Sequence, residues 1–167
     1  HADEFVNTGA AELAGEIGAF SADHLMEVSD KGVLALADNN VIATLLPGTT
    51  FFLGKTKYAP ARKLIDAGIK IALATDFNPG SSHIQSMPFI ISLACLFMGL
   101  TVEEAFAAAT YNAAQTLGIH NEVGSVELGK KADLIIWDID SLIDIPYYVS
   151  NHPIQKVIKN GKIVFGA

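Results

Sequence analysis

The sequence predicts an α/β fold, the carboxyl-terminal part of a (β/α)8 TIM barrel followed by strands of a small accessory β domain. Three observations lead there. Short apolar runs alternate with helix-like segments at the spacing of βαβ units. Each run ends in residues capable of chemistry, as barrel strands do at their carboxyl ends. After residue 118 the pattern changes to Gly-rich turns and a hairpin.

The elements follow in order. Residues 10–18 (AAELAGEIG) read as a short helix, and AFSADH reads as a strand ending at His24. Helical sequence returns over 29–39, with Ser29 or Asp30 as its cap. VIATLLP at 41–47 is an apolar run ended by a Pro47-Gly48-Thr49-Thr50 turn. Residues 57–67 form the next helix, closed by Gly68. IKIALATD is a strand ending at Asp76, and its continuous hydrophobicity suits a parallel strand covered on both faces. Asn78-Pro79-Gly80 marks a loop. Helices over about 85–98 and 102–117 come next, the second opened by Thr101 and Glu104 as a capping box. ADLIIWD is then a strand, IDSLIDIPYYVSNHP a loop, and QKVIKNGKIVF at 155–165 a hairpin turning at Asn160-Gly161. Residues 1–118 are thus the barrel portion and 119–167 the accessory antiparallel segment.

Length limits how much barrel is present. A TIM barrel takes about 250 residues, and these 167 show three of its strands, with His1 placed to end a fourth. Four strands cannot close a barrel, so the chain reads as the carboxyl-terminal part of a larger protein. HADEF shows no basic region and no apolar leader, so no signal peptide is expected in it. Half of the residues are hydrophobic and 17% are charged, which excludes global disorder. The 11 basic against 18 acidic residues leave a net charge of −7. That balance argues against nucleic acid and against anionic membrane surfaces as partners. The apolar stretch from Met87 to Leu100 is too short to span a bilayer and reads as a buried helix. The lone cysteine, Cys95, reads as a buried small hydrophobe and suits a reducing compartment.

The chemistry-bearing residues are His1, Glu4, His24, Asp76 and Asn78. Two imidazoles and a carboxylate converging on a barrel mouth make a site for Zn2+ or Fe2+. Each also has a plainer reading: a strand-end histidine is often only hydrogen-bonded, and Asp76 can cap the loop after it. TDFNPGSS sets Asn78 and successive backbone N–H groups beside Asp76, a turn able to bind an anion or pin a polar ring. His83, His120 and His152 have weaker claims, and Lys55, Lys57 and Arg62 read as a solvated face. No GxGxxG signature for a nucleotide cofactor is present.

HADEF, SADHL, LLPGTTFFLG, LATDFNPGSS, TYNAAQTLG and VGSVELGKKADLIIWD together resemble the imidazolonepropionase family of the amidohydrolase superfamily. The last two segments mark only the superfamily, whereas LLPGTTFFLG with ATDFNPGSS is specific to the family. The resemblance covers essentially this whole chain and about the last two-fifths of the family's length. It implies a metal-dependent TIM barrel holding one divalent ion, Zn2+ or Fe2+. His1 would be the ligand after the fifth barrel strand and Asp76 the metal-associated aspartate after the eighth. Glu4 would contact substrate, and His24 would stand near the ring carbonyl. Asn78, Gly80 and Ser81 match the substrate loop. The implied reaction is hydrolysis of the cyclic amide of 4-imidazolone-5-propanoate to N-formimidoyl-L-glutamate in histidine degradation. Asp76, His24 and Glu4 are its catalytic residues, its partner is the small-molecule substrate, and its setting is cytoplasmic, with room for a homodimer. The family's first-strand His-x-His pair and its propionate-binding arginine and tyrosines are not in these residues. One alternative is another cyclic amidase or aminohydrolase of the superfamily, whose loop after Asp76 should differ from FNPGSS. The other is an inactive relative serving as an interaction surface, against which the retained His1, Glu4 and Asp76 argue.

Overall fold

The computed structural model describes residues 1–166. Helix α1 (Ala10–Glu16) leads into strand β1 (Ser21–Asp23), then helix α2 (Asp30–Asp38) and strand β2 (Ile42–Leu45). Ser29 is the cap of α2, its hydroxyl accepting the Gly32 N–H at 2.9 Å. The two helices pack closely enough that a Cβ on Gly15 would stand 2.6 Å from the Ala35 carbonyl oxygen. Helix α3 (Pro47–Phe52) follows β2 directly. The sequence suggested only a turn here, but Pro47 holds the helical φ at the first position and lacks the N–H that would be unpaired there.

Helix α4 (Ala61–Asp66) ends at Gly68, whose φ of +83° is the left-handed exit expected there. Strand β3 (Ile71–Leu73) is buried along its whole length. The three strands lie in the order β1-β2-β3 and pair in parallel, with Asp23 opposite Thr44 and Leu45 opposite Leu73. The first residues extend this sheet. Ala2 forms a parallel bridge with His24, donating to the Asp23 carbonyl at 2.9 Å and accepting the Leu25 N–H at 3.0 Å. The His1 segment therefore occupies the position of a fourth strand end.

Helix α5 (Met87–Met98) buries Ile90, Ile91, Leu93 and Ala94 but turns Leu96 and Phe97 outward. Cys95 shares that flank and is half-buried, not enclosed as expected. Its burial, then the negative charges of Glu103 and Glu104, push the thiol pKa up. The 102–117 helix of the sequence reading is two helices, α6 (Val102–Ala109) and α7 (Tyr111–Thr116). The break is at Thr110, whose hydroxyl donates to the Phe106 carbonyl at 2.8 Å while its N–H turns to Ala107. The Thr101–Glu104 capping box is present. Glu104 also receives both guanidinium nitrogens of Arg62, at 3.0 and 2.9 Å, so Arg62 is a tether rather than part of a solvated face.

Strand β4 (Leu134–Trp137), helix α8 (Asp144–Tyr147), strand β5 (Ile154–Lys159) and strand β6 (Lys162–Phe165) complete the chain. The strands form an antiparallel sheet in the order β4-β5-β6, and Asn160 and Gly161 turn the hairpin with positive φ. The stretch read as a loop holds α8 because Ile145 is buried and the Ser92 hydroxyl donates to the Pro146 carbonyl at 3.0 Å. His152 hydrogen-bonds Ser86, the cap of α5, at 2.8 Å.

Candidate active site

The candidate site gathers at the carboxyl ends of the parallel strands. His24 follows β1 and bridges two neighbours through its backbone: its N–H donates to the Thr44 carbonyl at 3.0 Å, beside the Ala2 pairing. The chain then leaves the sheet through two left-handed residues, His24 (φ 77°) and Leu25 (φ 61°). Asp3 and Asp76 are left-handed at the same end of the sheet, with φ of 46° and 51°. Such conformations cost about 1–3 kcal/mol for a residue with a side chain and persist only where the surroundings impose them. Both neighbouring strands and the first segment impose them here.

The His24 side chain is only 1% exposed. Its ring stacks on His1, with centroids 4.8 Å apart. Its Nε2 lies 3.7 Å from Glu4 Oε2, too far for a direct hydrogen bond. The buried Nδ1 has no protein partner at all. Donor atoms of His1, Glu4 and His24 lie within 4.8 Å of one another, the one group of three or more such residues among the described residues. Two imidazoles and a carboxylate in this spacing, one with an orphaned buried nitrogen, fit a divalent metal ion. The sequence reading placed Glu4 on the substrate and Asp76 on the metal. The structure brings Glu4 into the histidine group and leaves Asp76 outside it.

Asp76 is half-buried, and its Oδ2 accepts a 2.6 Å hydrogen bond from Thr49 Oγ1 at the head of α3. The loop after it is held by Asn78. The Asn78 Oδ1 accepts the N–H groups of Gly80 and Ser81, both at 2.8 Å, and its Nδ2 donates to the Asp76 carbonyl at 2.7 Å. Those two N–H groups are therefore not open to an anion, contrary to the nest the sequence suggested. The Asn78 amide shapes the loop, and Ser81 Oγ is tied to it at 3.0 Å.

Asp3 was missed by sequence reasoning. It is 3% exposed, and its carboxylate accepts from the N–H groups of Thr8, Ala10 and Ala11 and from the Thr8 hydroxyl, at 2.8–3.2 Å. Burial pushes its pKa up, but the hydrogen bonds from Thr8, Ala11 and Ala10 outweigh that and hold it below the ordinary aspartate value. Asp3 caps the first helix. The available signal was negative: Gly9 at the helix start carries no side chain to cap it.

A cavity of about 300 Å3 opens beside Glu4, lined also by Phe5, Met26, Glu27 and residues 54–57. Lys57 pairs with Glu27, and the Lys55 ammonium sits 5.4 Å from the Phe5 ring centre. Both lysines are exposed, as expected of a solvated face, and they rim this cavity. His83 is exposed between Phe52 and Phe77, and His120 lies edge-on to Tyr111; neither joins the histidine group.

The amidohydrolase family model matches residues 18–164. The chain is 56% identical over 164 residues to an imidazolonepropionase of Geobacillus kaustophilus, covering 98% of this chain and 38% of that protein. It is 51% identical over 164 residues to one of Phocaeicola vulgatus, covering 98% of this chain and 39% of that one. The chain thus spans about two-fifths of the length of these curated relatives. A zinc-bound adenosine deaminase of Xanthomonas campestris superposes with a TM-score of 0.77 at 24% identity, covering 86% of this chain and 36% of that one. That likeness places the parallel sheet and its helices in the same fold. With the family model spanning nearly all of the described chain, and the donor residues at its strand ends, the chain belongs to the amidohydrolase family.

Proposed function

We propose that the protein carrying this chain hydrolyses the cyclic amide of 4-imidazolone-5-propanoate to N-formimidoyl-L-glutamate in histidine degradation. The observation that carries this reading is the meeting of His1, Glu4 and His24 at the strand ends of a chain 56% identical to a named imidazolonepropionase. One divalent ion, Zn2+ or Fe2+, would be held by His1 with His24 and Glu4 beside it. When bound it supplies Lewis acidity at the ring carbonyl and acidifies water. Asp76 accepts the proton of the attacking water and passes it to the departing ring nitrogen, general base and then general acid. The oxygen available for this is Oδ1, since Oδ2 is engaged by Thr49. His24 donates to the oxygen on which negative charge develops. Glu4 accepts from the ring N–H groups and orients the ring. Asn78 holds the loop that brings Gly80 and Ser81 to the substrate. The same reading includes a barrel portion over 1–118, an accessory segment over 119–167, a homodimer and a cytoplasmic setting.

The test uses the full-length protein. Purified with zinc or iron(II), it should convert imidazolonepropionate to N-formimidoylglutamate, with one ion per subunit by elemental analysis. No conversion by the metal-loaded protein refutes the proposal. Hydrolysis of another cyclic amide, or deamination, would assign the alternative cyclic amidase or aminohydrolase of the superfamily.

A further inference from the structure

We infer that Thr49 is a positioning residue that fixes the orientation of the Asp76 carboxylate, an inference that rests on the proposed function. Thr49 is fully buried, at 0% exposure, so its hydroxyl must find a protein partner. A threonine hydroxyl in a helix ordinarily turns back to a carbonyl three or four residues earlier. Thr49 stands in the first turn of α3, and its hydroxyl makes no such bond. The hydroxyl reaches across to Asp76 instead, 27 residues on in sequence, at 2.6 Å. That length lies in the range of charge-assisted O–H···O⁻ bonds, which are roughly twice as strong as neutral ones.

The surroundings hold this pair in place. A Cβ on Gly48 would stand 2.8 Å from Ile90 Cδ1 and 3.3 Å from the Thr75 carbonyl oxygen, so α3 sits as close to the end of β3 as glycine allows. The buried Ser82 hydroxyl donates to that same Thr75 carbonyl at 2.9 Å. The backbone just before Asp76 is thus clamped from the loop side, and the carboxylate from the helix side. A carboxylate that moves a proton must present one oxygen steadily to the reacting atoms. A donor fixed at Oδ2 restrains rotation of the group and leaves Oδ1 free of protein hydrogen bonds. Thr49 acts through Asp76 and is not itself required to touch the substrate.

The experiment is a double-mutant cycle in the full-length protein, with T49V, T49S, D76N and T49V/D76N, reading kcat, KM and the melting temperature. T49V should lower kcat by about 10-fold or more, in line with the cost of misplacing a catalytic group, with KM within about threefold of wild type. T49S keeps the hydroxyl but opens a methyl-sized gap. It should retain most of kcat while melting at a lower temperature than wild type. T49V should add little to the loss already caused by D76N. Activity that follows melting temperature across the variants, or full additivity with D76N, would overturn the inference and leave Thr49 a packing residue. Should T49V fail to fold, T49A takes its place in the cycle, with the same outcomes read against T49S. Normal kcat for T49V beside a disabled D76N sinks this inference alone. An inactive wild type sinks the proposed function and this inference together.

Discussion

Replacing Asp3 should damage both stability and the site. The Asp3 carboxylate caps the start of α1, accepting four hydrogen bonds from three residues. In D3A the Thr8 and Ala10 amides can recover water, because both residues are at least partly exposed. Ala11 is 0% exposed, so its N–H is stranded. An unsatisfied buried donor costs about 1–3 kcal/mol, and loss of a helix cap typically costs about 1 kcal/mol. Relief of the buried charge offsets part of this, so the expected loss is about 2–3 kcal/mol. D3N keeps one accepting oxygen and should lose about half as much. Urea unfolding of the full-length protein measures both, and amide exchange should quicken at residues 10–14 first. Asp3 stands between His1 and Glu4, so D3A should also retain less metal after dialysis against chelator. The pH dependence has a definite sign. The folded pKa of Asp3 is depressed, so its stabilisation is complete above the ordinary aspartate value, about 3.9. It is lost as pH falls through the lower folded value. The stability gap between wild type and D3N should therefore narrow only in strong acid. A D3A protein as stable as wild type, with unchanged exchange over α1, would refute the capping argument.

Three further outcomes are expected. D76N removes proton acceptance while nearly keeping shape, and turnover at matched metal content should fall at least about 10²-fold; near-normal turnover would remove Asp76 from proton transfer. E4Q should cut kcat/KM strongly while metal content stays near wild type. Because Glu4 lies in the histidine group, elemental analysis decides its role: lost metal would make it a ligand, and unchanged kinetics a bystander. The 167-residue chain expressed alone should be inactive and aggregate on size-exclusion chromatography. It leaves a parallel sheet unclosed, Phe165 57% exposed on β6, and an apolar groove of about 630 Å3 between α5–α7 and β4. A monodisperse, active preparation of this chain would overturn that expectation.

Glu4 is the residue on which sequence and geometry pull apart. The resemblance makes it a substrate contact, while its carboxylate lies among the donor atoms of the two histidines. Both readings share a physical basis. Glu4 follows Asp3, whose carboxylate is wholly spent on α1, so the first turn after His1 is rigid and Glu4 is free to face His24. The 3.7 Å gap to His24 Nε2 leaves the carboxylate uncommitted in the protein alone.

Local chemistry in the sequence determined the layout. The continuous apolar run at β3 meant a strand covered on both faces, and the structure pairs it in parallel with β2. Ser29 and the Thr101–Glu104 pair marked helix starts, and Asn160-Gly161 marked the hairpin, because caps and tight turns are decided within four residues. Strand-end positions also identified His1, Glu4, His24 and Asp76 as the residues to watch. Tertiary structure alone decided what each of them touches. The Ala2–His24 bridge stacks His1 on His24, 23 positions apart, and no local pattern encodes that pairing. Asp3 caps a helix seven residues away across a loop, a reach no capping rule covers. Thr49 meets Asp76 only because two parallel strands set their ends side by side. Thr110 splits a helix that its periodicity would have continued, through a hydroxyl able to bond either way. Short-range preferences choose elements, but a side chain's partner depends on where distant strands and helices bring it, and that is settled only when the core closes.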